Sequence, residues 1–150
     1  MSFAISRRAT RVDHFFASRR AAKAAGEALA EDWGLMSGKL CLAQFKPELE
    51  HLRDTILAEK PRALLAVGRT PLWALTGLNG VTAEAGKTHP CRFAPTIPVI
   101  CTYHPSFILR GNWALMPQWV GHMRKVKGEG KSRLKGRGLC AATSACPPFA

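Results

Sequence analysis

Two short apolar runs constrain the fold of this 150-residue chain more than any other feature. Residues 63–67 read ALLAV and are closed by Gly68, and residues 98–103 read PVICTY and are closed by His104. A short continuous apolar run closed by glycine is typical of a strand that is buried on both faces. Because such strands need helices packed over them, the two runs predict an α/β domain.

Helices are predicted on either side of the first run. Residues 46–61 carry leucine and isoleucine at helical spacing, with Pro47 near the start and Pro61 just past the end. After the run, Thr70 is a predicted N-cap and Gly77 a predicted helix stop. The order helix, strand, helix is that of an α/β domain.

The later part of the chain has weaker signals. Residues 78–97 contain two glycines and two prolines, so we expect mostly loop there, with one short strand near Val81. Residues 112–126 predict a helix in which Pro117 fits only in the first turn.

Several single residues have a predicted environment. Trp73 and Trp119 lie among apolar neighbours on predicted helices, so we expect both in the core. For Trp113 the sequence does not decide between core and surface, because this residue flanks the segment that follows the second strand. His51 and His122 are predicted to be solvated helix residues.

Composition divides the chain into three segments. Residues 1–44 are rich in alanine and arginine and predict a basic, helix-prone segment of unclear fold, with Gly34 as a helix stop. Residues 45–126 hold the predicted strands and their helices. Residues 127–150 begin by alternating glycine with cations and have no apolar period, so we expect a flexible basic tail. The alternative is a solvated extension without a binding role.

The formal net charge of +12 favours a polyanionic partner such as DNA, RNA or an anionic membrane surface. The alternative is a soluble protein with basic ends. We expect DNA rather than a membrane, because the charge is concentrated rather than spread. No apolar run approaches the roughly 18 to 20 residues of a membrane span. The arginine-rich start does not resemble a signal peptide, and we expect a cytoplasmic protein.

The cysteines are predicted to be reduced thiols. They are odd in number and widely spaced, and they include no CxxC pair, so the spacing favours neither a zinc ribbon nor a secreted disulfide framework. They are Cys41, Cys91, Cys101, Cys140 and Cys146. We expect no metal site, and Cys101 is predicted to be a small core residue.

The two strand ends predict a ligand site. In open α/β sheets, ligands bind beyond the carboxyl ends of the strands, where residues 68–70 and 104–106 are expected to be neighbours. His104 can donate a hydrogen bond to developing negative charge. Ser106 and its backbone N–H can hold a phosphate.

An apolar tip and two cations accompany this site. Residues 107–109 read FIL, and an exposed apolar tip of this kind can insert between the bases of DNA. Arg110 would then lie beside the phosphates. Arg69 could also reach a phosphate, and the alternative is an ordinary surface cation.

These residues resemble a known family. Residues 102–111, TYHPSFILRG, resemble the second signature motif of the uracil-DNA glycosylase superfamily, closest to the bacterial and phage branch called family 4. Residues 47–77 and 119–126 are similar to the helices and strand that flank this motif in the family. The resemblance covers about residues 45–126. It implies a partial three-layer parallel-sheet domain of uracil-DNA glycosylase type, here with basic flexible ends.

The resemblance implies roles for five side chains in excising a uracil that is flipped out of the duplex. His104 would donate to the uracil O2 and stabilise the anion that forms as the bond to the sugar breaks. Ser106 would clamp a flanking phosphate, and Arg110 would contact the phosphate backbone. Ile108 or Leu109 would fill the gap left by the flipped base.

The resemblance also implies features that this sequence lacks. The family has an upstream glycine- and proline-rich motif that positions the attacking water, and residues 1–44 contain no such loop. The uracil-reading asparagine has no counterpart, because Asn79 and Asn112 lie elsewhere. The closely spaced cysteine pair of the family 4 iron–sulfur cluster is missing, so we expect no cluster.

Three functions stay open from the sequence. The chain is a uracil-excising enzyme, or a non-catalytic DNA-binding remnant or truncated gene product whose missing half a partner chain would supply. The third alternative is a small basic nucleic-acid-binding protein in which the His-Pro-Ser sequence occurs by chance.

Overall fold

A computed structural model describes residues 15–137. The strands are β1 (Phe16–Ala17), β2 (Leu29–Ala30), β3 (Leu40–Leu42), β4 (Leu64–Val67), β5 (Thr88–Pro90) and β6 (Pro98–Thr102). The α-helices are α1 (Arg19–Ala25), α2 (Lys46–Glu59), α3 (Arg69–Thr76), α4 (Val81–Glu84), α5 (Pro105–Leu109) and α6 (Met116–Arg137). Short 3₁₀ turns occupy Glu31–Trp33, Ala43–Phe45 and Trp113–Leu115.

The strand-end site is built on a three-stranded sheet in the order β4-β6-β5. β4 pairs parallel to β6, with Leu64 opposite Val99 and Val67 opposite Thr102, whereas β5 pairs antiparallel to β6. The predicted α/β class is therefore confirmed, and both predicted strands are present. The expected parallel sheet is present only in part, because β4 and β6 are parallel whereas β5 runs in the opposite direction.

The sheet lies between helices on its two faces. Alternate residues of a strand point to opposite faces, and Val99 and Cys101 of β6 pack with Ile56 of α2 and Leu72 of α3 in one core. On the other face, Thr102 is hydrogen-bonded to His122 of α6. All five residues of β6 are buried between these layers.

The N-terminal part of the chain folds onto α3. β1, β3 and β2 form a second, antiparallel sheet in that order, and its side chains pack on Trp73. The Arg92 guanidinium lies 5.2 Å from the Trp33 ring centroid and donates to the Trp33 carbonyl at 3.3 Å, which ties this sheet to the loop before β6. Trp73 is fully buried, as predicted.

The prediction that the first helix extends to Gly34 is wrong. α1 ends at Ala25, because Gly26 adopts a left-handed conformation that caps it, and Leu29 and Ala30 pair with β3 instead. Pairing in a sheet has overridden the helix propensity of the alanine-rich segment.

Two local predictions after β4 are also wrong. α3 begins at Arg69 with Gly68 as its N-cap, so Thr70 lies inside the helix. Val81 begins a helical turn rather than a strand, because the amides of Ala83 and Glu84 bond to the Gly80 carbonyl. The short strand of this region is β5. Gly77 does stop α3, as predicted.

Burial and helix length differ from the sequence expectations in two further places. β4 is half-buried except at Ala66, because it lies at the edge of its sheet. α6 carries Pro117 in its first turn, as predicted, but continues to Arg137 through the first part of the expected flexible tail. The rest of that tail, residues 138–150, lies outside the described residues, as do residues 1–14. No helix of the described part is long and apolar enough to cross a bilayer.

Trp73→Ala should destabilise the fold strongly, because this side chain fills the core between the N-terminal sheet and α3. We expect a loss of about 3 to 5 kcal/mol in the free energy of unfolding, measured by denaturant titration. Trp73→Phe is the matched control: it keeps an aromatic ring and removes a buried indole N–H that has no hydrogen-bond partner. If the alanine variant costs no more than the phenylalanine variant, Trp73 does not hold the two parts together.

Candidate nucleic-acid site

The carboxyl ends of β4 and β6 meet, as predicted. The Gly68 amide donates to the Thr102 carbonyl at 2.9 Å. Gly68 has a φ of 97°, which favours glycine, and a Cβ at this position would lie 3.4 Å from the Cβ of His104. The start of α3 and the residue after β6 therefore lie against each other at one edge of the sheet.

His104 caps the helix that follows it. Its Nδ1 accepts a hydrogen bond from the Ser106 backbone amide at 3.2 Å and lies 2.7 Å from the Ser106 hydroxyl oxygen. Because an amide can only donate, Nδ1 must carry the lone pair, and a neutral imidazole then has its proton on Nε2. The ring is exposed, so this Nε2–H can donate to a ligand.

Arg110 and Arg69 bring positive charge to the same edge. The Arg110 Nε donates to the Ser106 carbonyl at 3.0 Å, and its Nη2 lies 3.5 Å from the Ser106 hydroxyl. Arg69 is exposed on the residue after Gly68. If Ser106 is to donate to a phosphate, its hydroxyl proton must point away from His104. The Nδ1 of His104 then still accepts a hydrogen bond from the Ser106 backbone amide.

The apolar tip is helical, and only part of it is exposed. Ile108 is 2% exposed and Leu109 is 61% exposed, because adjacent residues of a helix point in different directions. The interpretation of Ile108 as an inserting side chain is therefore wrong, since its side chain is already packed inside the protein. Leu109 remains as the candidate wedge. Phe107 stacks on Tyr103, with ring centroids 5.7 Å apart.

Three side chains of one face of α6 hold it beneath the site. The Trp119 Nε1 donates to the carbonyl of Tyr103 at 3.1 Å, and Tyr103 is the residue before His104. The His122 Nδ1 lies 3.0 Å from the Thr102 hydroxyl, and the Lys125 Nζ donates to the Gly86 carbonyl at 2.6 Å. Trp119 is only half-buried, but it is packed against the strand end rather than left in solvent.

The prediction of a solvated His122 is wrong. A Cβ at Gly86 would lie 2.6 Å from the His122 Nε2, so the turn before β5 is closed over the imidazole. The recurrence of Trp119, His122 and Lys125 at three-residue spacing is the sequence signal for this face, but their backbone and side-chain partners cannot be read from that spacing. His51 is exposed on α2, as predicted.

Charge is segregated across the sheet. α6 contains seven lysine and arginine residues and one glutamate. α2, which packs on the opposite face, contains four acidic residues and two basic ones. The strand-end site and α6 therefore share the cationic side of the protein.

The three cysteines of the described residues are not grouped as the ligands of an iron–sulfur cluster would be. Cys41 is buried in the core around Trp73, whereas Cys91 and Cys101 are buried in the core beneath the sheet. Burial raises the pKa of Cys41, and burial together with the nearby Glu84 raises the pKa of Cys101 to about 11, whereas cluster ligands must be thiolates. Within residues 15–137 no three histidine, cysteine or acidic side chains are grouped as a metal site. The expected absence of iron stays a prediction for metal analysis of the purified protein.

Comparison of the chain with family models, with curated proteins and with solved structures finds no match. The resemblance to uracil-DNA glycosylases therefore rests on the motif residues alone.

His122 should make stability depend on pH. Burial, and the neighbouring Lys125 cation, lower the pKa of His122 below its ordinary value of 6.5. The unfolded chain therefore takes up this proton at a higher pH than the folded chain does. The free energy of unfolding should keep its neutral-pH value above about pH 6.5 and decrease as the pH is lowered below it. Denaturation midpoints across this range should fall less steeply for His122→Gln than for the unchanged protein. Equal slopes would contradict the prediction.

Proposed function

We propose that this chain is a uracil-DNA glycosylase-like protein that hydrolyses the N-glycosidic bond of uracil in DNA, a base-excision activity. The observation that supports it best is the exposed Nε2–H of His104 at the carboxyl end of β6, fixed by the hydrogen bond from the Ser106 amide to Nδ1. A donor held in this way matches the role that the family resemblance implies for the histidine.

The chemistry asks for a donor to an anion rather than for an acid. When the bond between the base nitrogen and the sugar C1′ breaks, both electrons stay with the base, and the negative charge reaches the uracil O2. A neutral His104 stabilises that charge by donating from Nε2, without losing its proton. Water supplies the hydroxyl group that bonds to C1′, and the proton that water loses balances the charge of the released base.

The neighbouring side chains fit the contacts that DNA needs. Arg110, Ser106 and Arg69 offer donors for phosphate at the same edge of the sheet. Leu109 is exposed beside them and can enter the space left by a flipped base.

A non-catalytic DNA-binding protein is the second candidate, and the N-terminal region favours it. Residues 15–44 form an antiparallel sheet on α3, and none of their strands joins β4. The loop that would position water in the glycosylase family therefore has no counterpart beside His104 in the described residues. A partner chain that supplied the missing half would pair with the outer edge of β4.

His104→Ala should lower uracil excision while DNA binding stays nearly unchanged, because the lost donor acts on charge that exists only as the bond breaks. Removing one such donor costs about 10²- to 10³-fold in rate. The assay measures single-turnover excision from single-stranded and duplex oligonucleotides, and His51→Ala on α2 is the matched control. Equal rates for His104→Ala and the unchanged protein would show that the motif assignment is wrong. No excision by the unchanged protein would leave the non-catalytic candidate.

The affinity for DNA should fall steeply with salt, because bound phosphates release counterions. If Arg110 contacts one phosphate, Arg110→Gln should reduce the slope of log affinity against log salt by about 0.7 on single strands. Arg53→Gln is the control, since Arg53 is ion-paired with Asp54 on the acidic helix α2. The affinities are measured by titrations followed by fluorescence anisotropy. An affinity that does not change with salt concentration would exclude DNA as the partner.

A further inference from the structure

A cluster of exposed apolar side chains lies next to the strand-end site. Seven large apolar side chains are exposed in the described residues, and three of them fall within seven positions of the chain. They are Phe107, Leu109 and Trp113, at 39%, 61% and 56% exposure. Phe107 already stacks on Tyr103, and Leu109 is the candidate wedge, so Trp113 is the member without a role.

Trp113 is held on a fixed turn. The Asn112 side-chain amide donates to the Phe107 carbonyl at 2.8 Å, and the Asn112 backbone amide donates to the Ile108 carbonyl at 3.0 Å. Both bonds tie the connection between α5 and α6 to α5, and the 3₁₀ turn that starts at Trp113 runs directly into α6. Within the described residues, the indole of Trp113 makes no hydrogen bond and no ring contact. Its exposed face is therefore presented to solvent from an ordered backbone.

The surroundings of Trp113 decide which kind of partner fits. Arg110 lies three positions before it, α6 follows it with four described cations and one acid between residues 124 and 131, and α5 and α6 line an apolar groove of about 210 Å³. An exposed aromatic ring at the start of a cationic helix suits a single-stranded polynucleotide, whose phosphates bind the cations while an unpaired base stacks on the ring. A duplex fits less well, because its bases stay stacked and offer no free base face. A basic protein surface also fits less well, because the cations of Arg110 and α6 repel it.

We propose that Trp113 is a stacking platform for an unpaired base of single-stranded DNA, with the flanking phosphates bound by Arg110 and the cations of α6. The choice of DNA as the polymer rests on the proposed function, but the platform itself needs no catalysis. It makes single-stranded DNA, rather than duplex, the substrate class that this surface of the protein selects.

The test compares two probes that differ only in their bases. A short fluorescent oligothymidylate and an abasic oligonucleotide of the same length and charge are titrated with the full chain. The unchanged protein should bind the oligothymidylate roughly 5- to 150-fold more tightly than the abasic probe, the range that stacking of one base supplies. Trp113→Ala and Trp113→Leu should both abolish this difference while keeping the affinity for the abasic probe. Trp113→Phe should retain part of it, and Leu57→Ala, at an exposed apolar position on α2, should leave it unchanged.

Two results would overturn the platform. One is an unchanged protein that binds both probes equally, which points to an occupant other than a base. The other is a base preference that survives in Trp113→Leu, whose folding is checked by circular dichroism. His104→Ala separates the two proposals, because it should keep the base preference in full. Base preference without uracil excision would leave the platform and refute the enzymatic proposal, whereas excision without base preference would refute only the platform.

Discussion

The burial of β6 determines where the helices around it can pack. Its five residues are buried, and the strand pairs with β4 on one side and β5 on the other. One face packs in the core with α2 and α3, and the other face is hydrogen-bonded to α6. Thr102 is the one buried polar residue found among the described positions, and the imidazole of His122 satisfies its hydroxyl, so a polar contact inside the protein sets where α6 lies. His104 follows directly on this strand, and its position is fixed by the same packing.

His104 caps α5, and this structural role sets which hydrogen bonds its side chain can make. As the N-cap of α5 it takes the place that serine or aspartate usually fills, and Pro105 occupies the first helical position. The capping bond occupies Nδ1, and this selects the tautomer that presents a donor at Nε2. A helix cap therefore sets the hydrogen-bonding character of the side chain, without any buried carboxylate behind the imidazole.

The parts of the fold that the sequence predicted are those with local signals. Pro47 and Gly77 mark helix ends by backbone geometry alone, and the two apolar runs need no knowledge of their partners to be recognised as strands. Leu29 and Ala30 could not be placed, because their pairing with β3 is a contact between distant residues. In the site, the meeting of Gly68 and His104 follows from a general property of parallel strands. The opposite orientations of Ile108 and Leu109 do not, because they depend on how α5 is seated over the core, and neither does the contact of His122 with Thr102.

The opposite net charges of α2 and α6 contribute an electric dipole directed across the sheet between them. A polyanion of the proposed kind would exert a torque on the protein before the two surfaces touch, turning α6 toward it and α2 away. Encounters that begin in a wrong orientation would then be corrected during approach, so a larger share of collisions would become productive. The acidic side chains of α2, on the opposite face of the sheet from α6, would thereby contribute to the rate of association rather than to the strength of the complex.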